Sequence, residues 1–267
     1  MQSYYSKFAS FSAVGGFLAG IIGAIIVERF GLSSIWIFTG VAVLLNAFIF
    51  LIPNEHFVRR KSKLKEKLNQ TISHSKGSML FAIRHHTILI LLIIAFVGLL
   101  VSAFSGLVIW TPFLQELGFK DSWFGYLYSA AFALAIFAPM LIKPLIKKFK
   151  SYKKYFVFNS FLIMMLFFVV FFVDKIFFAV LIFLSIQLVN CMSSPAKSTF
   201  FQHFVPDNMR ATISSFREMW VGVAAIVSVP LAGFVADKIG PQFTIVIGGF
   251  LIIPTILLYL RIKEDLS

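Results

Sequence analysis

Long apolar runs separated by short polar links make up most of this chain. Eight of the runs reach the length of about 19–20 residues that a helix needs to cross the hydrocarbon of a bilayer. A transmembrane β-strand needs only about ten alternating residues, so the run lengths favour helices. The pattern predicts an all-α, polytopic membrane helix bundle with eight spans at 9–27, 34–52, 88–113, 122–146, 155–173, 176–203, 214–236 and 241–260.

Composition supports a membrane protein. Hydrophobic residues make up 59% of the 267 positions and charged residues only 13%, whereas soluble domains have about 25% charged residues. The net charge of +13 does not indicate nucleic-acid binding, because the basic residues lie in the short links between apolar runs. Cys191 is the single cysteine, which excludes a disulfide within the chain.

The distribution of basic residues predicts the topology. Of the 24 Lys and Arg residues, nineteen fall on one set of alternating links and one, Lys197, lies inside a span. The opposite links hold four, namely Arg29, Lys120, Lys175 and Lys238. Because cytoplasmic loops carry the excess of Lys and Arg, we expect both termini and the long basic link to be cytoplasmic. The expected location is the plasma membrane.

The first two spans and the last two resemble each other. A shift of 209 residues aligns Glu28-Arg29 with Asp237-Lys238, Gly31 with Gly240, and Gly40 with Gly249. In both places an apolar helix ends in an acid, a base and a glycine, and glycine commonly terminates helices. Six spans begin within one period, which predicts a repeated six-helix unit of which the first copy is represented by two helices only.

Several stretches resemble the major facilitator superfamily of secondary transporters. These are Leu117-Gly118-Phe119 with Gly125, the link PDNMRATISS at 206–215, and GFVADKIG at 233–240. The link 147–154 lacks the glycines and the acid of the corresponding family motif. Gly15, Gly16, Gly20 and Gly23 match part of an antiporter motif whose proline is missing, and they equally fit close helix packing.

The resemblance implies a domain organisation and a function. Residues 1–52 would be the last two helices of an N-terminal half, 53–87 a cytoplasmic basic linker, and 88–267 a complete C-terminal six-helix half. The linker is either a strap attracted to anionic lipid or a solvated tether. The implied activity is transport of a small solute by alternating access, in which two bundles rock around a site at mid-membrane.

A polar stripe on the sixth span is the strongest candidate for a substrate site. Gln187, Asn190, Ser194 and Lys197 are spaced by three, four and three residues and therefore share one helix face. Asn190 lies about 20 Å from Phe177 at 1.5 Å per residue, near the depth at which transporters bind substrate. The alternative is that these groups hydrogen-bond to neighbouring helices, at about 0.6 kcal/mol per contact.

Further candidates come from the resemblance. By family position, Ser102 and Ser105 on the third span and Tyr126 and Ser129 on the fourth face or flank the cavity. Trp110, toward the end of the third span, is either a cavity residue or an interfacial anchor. Lys197 and Arg210 are candidates for a gate or for attracting an anion, although a Lys near a helix end commonly extends its ammonium to water.

No enzyme motif is present: the chain lacks Walker glycines and an HExxH helix. We therefore expect no catalytic residues, no metal and no cofactor. The expected partners are a small solute and the lipid bilayer. The alternative function is a non-transporting fragment or membrane scaffold, which would need a chain that supplies the four missing helices or a second copy of itself.

Overall fold

A computed structural model describes residues 2–49 and 64–262, and every regular element within these ranges is helical. Two single-turn 3-10 helices, Val170–Phe172 and Asp207–Met209, adjoin α7 and α9. The α-helices are α1 Gln2–Phe30, α2 Ser34–Ile49, α3 Leu64–Arg84, α4 His86–Phe104, α5 Leu107–Glu116, α6 Asp121–Phe149, α7 Tyr152–Val169, α8 Ile176–His203, α9 Arg210–Ile239, α10 Pro241–Phe250 and α11 Ile252–Arg261.

The prediction of a polytopic helical membrane protein is confirmed. Within the described ranges, six segments are long and apolar enough to cross a membrane: Phe11–Phe30, His86–Glu116, Tyr152–Phe172, Ile176–His203, Asp207–Ile239 and Pro241–Arg261. The two remaining predicted spans also coincide with helices. Span 34–52 corresponds to α2, a shorter apolar helix of 16 residues whose predicted end lies outside the described residues. Span 122–146 lies within α6, which has 29 residues.

Two features of the helices differ from the sequence-based pattern. The predicted span 88–113 is interrupted, because α4 ends at Phe104 and α5 begins at Leu107. The polar link before it contains a helix, α3, in its second half. His85 separates α3 from α4 and caps the latter, since its Nδ1 accepts a hydrogen bond from the Ile88 backbone N–H at 3.4 Å.

The glycines of the internal repeat terminate their helices in the same way. Gly31 follows α1 with φ +81°, and Gly240 follows α9 with φ +87°. Each donates its N–H to the carbonyl four residues earlier, Val27 at 2.9 Å and Ala236 at 2.8 Å. A left-handed residue after the last helical turn is the usual helix terminator, and glycine adopts it without strain. The matched turns agree with the alignment at 209 residues.

The described contacts divide the chain into two compact units. The first contains Met1–Ser75 and Lys120–Phe132, and the second contains Lys76–Phe119 and Ala133–Ser267. The first unit therefore includes α1, α2 and the beginning of α6. The second unit includes α4, α5, the remainder of α6, and α7 to α11.

In the first unit, α1 and α6 approach each other through small residues. A Cβ added to Gly20 would contact Ser129 Oγ and lie 2.7 Å from the Gly125 carbonyl oxygen. A Cβ on Gly125 would lie 2.7 Å from Ala24 Cβ, and one on Gly16 would lie 2.6 Å from the Phe132 ring. The backbones of α1 and α6 are therefore too close together to admit a larger side chain between them. Small residues allow such approach in membranes, where packing replaces hydrophobic driving force.

Only part of the predicted glycine group takes part in this crossing. Gly16 and Gly20 face α6, whereas a Cβ on Gly15 or Gly23 would meet no heavy atom of the described residues within 4 Å. The four-residue spacing of Gly16, Gly20 and Ala24 selects one face of α1. Close packing thus explains the first pair of glycines and leaves the second pair facing open space.

In the second unit, interlocked aromatic rings form a core. The Phe156 ring on α7 lies 5.4 Å from the Phe200 ring on α8 and 5.2 Å from the Tyr259 ring on α11. Ile88 on α4 and Ile213 on α9 are fully buried in the same cluster. Aromatic pairs at these separations add to the energy of burial. This core holds together the beginning of α7, the end of α8 and the end of α11.

Trp110 belongs to a second aromatic cluster of this unit. It is only 2% exposed, and its ring lies 5.3 Å from Phe183 on α8 and 5.6 Å from Phe113 on its own helix. An interfacial anchor would keep its indole at the headgroup boundary. Trp110 therefore packs α5 against α8, which argues against the interfacial-anchor alternative.

Candidate functional site

The polar stripe predicted from the sequence lies on one side of α8. Asn190 and Ser194 are exposed, while Gln187 and Lys197 are half-buried. On the same helix Ser193, only one residue from Ser194, is buried. Its hydroxyl donates to the Asn190 carbonyl at 3.1 Å. The helix thus places Ser193 in the protein interior and leaves Asn190 and Ser194 of the stripe uncovered.

Asn190 lies at the middle of α8. At 1.5 Å per residue it is about 21 Å from Ile176 and about 20 Å from His203. Pro195, five residues further on, has no N–H, so the helix lacks a donor to the Cys191 carbonyl. The central part of this spanning helix therefore combines an exposed carboxamide with an interrupted backbone hydrogen-bond pattern.

Ser102 and Ser105 adjoin the interruption between α4 and α5. Ser105 is half-buried, and its hydroxyl donates to the Val101 carbonyl at 2.7 Å. Ser102 is exposed. A Cβ on Gly106 would contact the Ser102 carbonyl oxygen, so the backbone here admits only glycine without rearrangement. Ser102 lies about 24 Å from His86 along the helix, which is near the middle of the segment His86–Glu116.

Tyr126 and Ser129 lie on α6, in the first unit. Tyr126 is exposed, whereas Ser129 is 3% exposed. The Ser129 hydroxyl donates to the Phe17 carbonyl on α1 at 2.8 Å. The Ser129 hydroxyl proton is therefore used in the contact between α1 and α6, and the hydroxyl oxygen lies next to Gly20.

Basic side chains accumulate where α8 ends and α9 begins. Lys197 on α8 and Arg217 on α9 are close enough for their positive charges to repel each other. Arg217 lies 5.2 Å over the Phe201 ring and 3.6 Å from the Glu218 carboxylate. Arg210 forms an exposed ion pair with Asp207 at 2.7 Å. Two neighbouring half-buried cations, Lys197 and Arg217, therefore lie at this end of the helix pair.

The ends of α8 and α9 are also joined by a hydrogen bond. Gln202 Nε2 donates to Ser214 Oγ at 2.9 Å. The side-chain Oε1 of Gln202 is buried and has no hydrogen-bond partner among the described residues. This contact fixes the 3-10 turn Asp207–Met209, which connects the two helices, next to the basic cluster.

Metal-binding side chains are scattered in the described part of the chain. There, no group of three or more His, Cys, Asp or Glu residues is arranged to hold a metal ion. His85 caps α4 through its ring nitrogen, and Cys191 stands alone on α8 as a free thiol. The polar groups described above are suited to hydrogen bonding and to charge attraction.

Two residues of this region were missed by the sequence analysis. Gly106 lies in the sequence Ser102-Ala-Phe-Ser105-Gly106, and a serine-glycine pair within an apolar run is a signal for a helix break. Arg217 was counted with a cytoplasmic link. It lies seven residues after Arg210 and three after Ser214, so the three residues share one face of α9, and this spacing was the available signal.

Comparison with protein families gives one match. The family model described as Major Facilitator Superfamily matches residues 2–229. Comparison with curated proteins and with solved structures finds no match. The family match covers α1 to α8 and most of α9, which includes every candidate site residue discussed above.

Proposed function

Because this chain belongs to the major facilitator superfamily, a family of membrane transporters, we propose that it moves a small polar solute across the membrane by alternating access. Gln187, Asn190 and Ser194 on α8 would bind the solute. Ser102 and Ser105 would contribute from the break between α4 and α5. Discontinuous helices expose backbone groups at mid-membrane, and transporters use them for binding.

The observation that supports this proposal is the exposure of Asn190 at the centre of a spanning helix. A carboxamide in contact with hydrocarbon would leave two donors and an acceptor without partners, at several kcal/mol per unsatisfied group. Other exposed positions of α8 carry apolar side chains such as Phe177 and Leu181. The exposed side of Asn190 is therefore better suited to an aqueous path through which a solute passes.

Lys197 and Arg210 are proposed to act at the entrance of this path. Lys197 lies about 10 Å from Asn190 along α8, and its charge adds to that of Arg217. Such a pair would raise the local concentration of an anionic solute. Arg210 is paired with Asp207 in the link between α8 and α9. A rearrangement of this ion pair would open or close the path at this end of the two helices.

The topology and the domain organisation are proposed as the sequence predicts them. Both termini lie in the cytoplasm of a plasma-membrane protein, 1–52 belongs to an N-terminal half, 53–87 is a linker, and 88–267 is the C-terminal half. Tyr126 and Ser129 remain candidates for cavity positions through the family resemblance. The charge asymmetry of the links supports the orientation.

Accessibility to water tests the proposed site before any solute is known. In a Cys191→Ala background, a membrane-impermeant thiol reagent is applied to Asn190→Cys and to Leu188→Cys. These two positions have nearly the same depth and lie about 160° apart around the helix. We expect Asn190→Cys to react about tenfold faster, because a thiolate forms in water and is suppressed in hydrocarbon. Equally slow labelling at both positions would remove the basis for the site.

A solute panel then tests the binding role. Thermal unfolding of the purified protein identifies solutes that stabilise it, since a ligand of the folded state raises stability by mass action. For such a solute, Asn190→Ala is expected to weaken binding about tenfold through loss of hydrogen bonds while membrane insertion stays intact. Normal transport by reconstituted Asn190→Ala protein would contradict the assignment.

The exposure of α2 favours a second candidate, a membrane scaffold that acts through a partner. No residue of α2 is buried, and Trp36 is 80% exposed. The partner would be a chain that supplies four further helices or a second copy of this chain. Oxidative cross-linking of Trp36→Cys, in the Cys191→Ala background, would give a dimer if two copies pair through α2. Solute-dependent stabilisation of a non-cross-linking monomer would instead favour transport.

A further inference from the structure

A groove runs between α7 and α11 on the surface of the second unit. It is open to the surroundings and has a volume of about 760 Å³. We name it the α7–α11 groove. It is lined by Ser151, Lys153, Lys154, Val157, Phe158, Phe161, Ile256 and Leu260.

The two walls of the groove follow helical spacing. On α7, Lys154, Phe158 and Phe161 are separated by four and three residues and share one face. On α11, Ile256 and Leu260 are separated by one turn. Phe158, Phe161 and Leu260 are all exposed. The groove is therefore a continuous apolar channel formed by side chains that the protein itself leaves uncovered.

One end of the groove is positively charged. Lys154 is exposed, and Lys153 is half-buried with its Nζ donating to the Ile262 carbonyl at 3.0 Å. This hydrogen bond joins the beginning of α7 to the end of α11, so both walls end at the same level. Ser151 caps α7 by accepting from the Lys154 N–H at 3.1 Å. The positive end of the α7 dipole adds to the charge of the lysines.

We infer that the α7–α11 groove binds an anionic phospholipid, with its phosphate at Lys154 and one acyl chain between Phe158, Phe161 and Leu260. The basic end and the furthest apolar residue, Phe161, are about 10 Å apart along α7, which matches a headgroup joined to the upper part of an acyl chain. Both helices belong to spanning segments, so the apolar part of the groove opens toward hydrocarbon.

The charge pattern selects the class of lipid. Basic residues at a membrane surface attract anionic headgroups, at about a fivefold gain in affinity for each lysine. Lys153 and Lys154 line the groove, whereas Lys147, Lys148 and Lys150, which precede α7 in the same short stretch, lie outside it. A zwitterionic lipid would fill the apolar channel without using these charges. The inference concerns a surface outside the proposed transport site and does not depend on transport activity.

Affinity measurements on the purified full chain test the charged end. Native mass spectrometry compares binding of dioleoylphosphatidylglycerol, dioleoylphosphatidylcholine and inorganic phosphate. We expect the phosphatidylglycerol to bind best, and Lys154→Gln to weaken it about fivefold. Lys148→Gln removes the same charge from an exposed position outside the groove and should leave the affinity nearly unchanged.

A second pair of variants tests the apolar channel. Leu260→Trp places a bulky indole ring in the groove, whereas Leu257→Trp adds the same ring at an exposed position of α11 outside the groove. Only Leu260→Trp should reduce phosphatidylglycerol binding. The inference is overturned if Lys148→Gln weakens binding as much as Lys154→Gln, if both tryptophan variants bind normally, or if phosphatidylcholine or inorganic phosphate binds as well as phosphatidylglycerol.

Discussion

The two compact units hold their helices together by opposite means. In the first, α1 and α6 meet backbone to backbone at Gly20 and Gly125. In the second, α7, α8 and α11 are kept apart by rings that interlock, with Phe156 between Phe200 and Tyr259. The first contact depends on the absence of side-chain atoms, and the second depends on their presence.

This difference predicts how each contact responds to mutation. Lipid is as apolar as the helices, so neither contact gains much from the hydrophobic effect, and close packing provides the energy in both. An added group in the glycine crossing has no space and must separate the backbones. A removed group in the aromatic core leaves a cavity, while the surrounding rings keep the helices in position.

The largest effect is expected from Gly20→Leu. The new side chain would overlap Ser129 and the Gly125 backbone, and overpacking against backbone is among the most destabilising changes. We expect loss of most monodisperse protein in size-exclusion chromatography. The matched control is Gly23→Leu, on the same helix with open space around it. Equal yields of the two variants would show that the crossing does not limit stability.

Phe200→Ala should have the next largest effect. Phe200 is 2% exposed and its ring contacts those of Phe156, Tyr152 and Phe204. Truncating a buried phenylalanine lowers the free energy of unfolding by about 3 kcal/mol. Thermal or denaturant unfolding in detergent measures the change. Phe177→Ala, at an exposed position of the same helix, should be nearly neutral, and a comparable loss there would contradict the role of the core.

The smallest effect is expected from Ser129→Ala. This change removes the hydrogen bond to the Phe17 carbonyl, which contributes about 0.6 kcal/mol between membrane helices. It leaves the close approach of α1 and α6 intact. Ser129→Val, with branched methyl groups against Gly20, should destabilise the protein much more. If alanine proves as harmful as valine, the hydroxyl rather than the small size of residue 129 governs the crossing.

The sequence was sufficient to predict most of the helical architecture. Apolar run length identifies the six segments that are long and apolar enough to span among the described residues, since only a helix satisfies every backbone group within one run. The repeat correctly indicated that Gly31 and Gly240 end their helices, because their neighbours carry the same pattern of charge. The family assignment, reached from the motifs around Arg210 and Gly240, agrees with the family match.

Other features depend on packing that a single run of residues does not specify. Residues 88–113 form one long apolar run, and run length alone does not show that one helix ends at Phe104 and the next begins at Leu107. Hydropathy also does not distinguish a tryptophan at a headgroup boundary from Trp110, which packs against Phe183. The Ser129 hydroxyl donates to the Phe17 carbonyl, 112 residues away on α1, a partner that the run around Ser129 does not identify.

The left-handed turns at Gly31 and Gly240 have a consequence for how the protein can be probed. Gly240 alone separates α9 from α10, and only residues 31–33 separate α1 from α2. A protease must draw an extended strand of several residues into its cleft, and an antibody needs a protruding epitope. Neither hairpin offers such a segment at its turn, so limited proteolysis and epitope insertion should succeed only at longer links elsewhere in the chain.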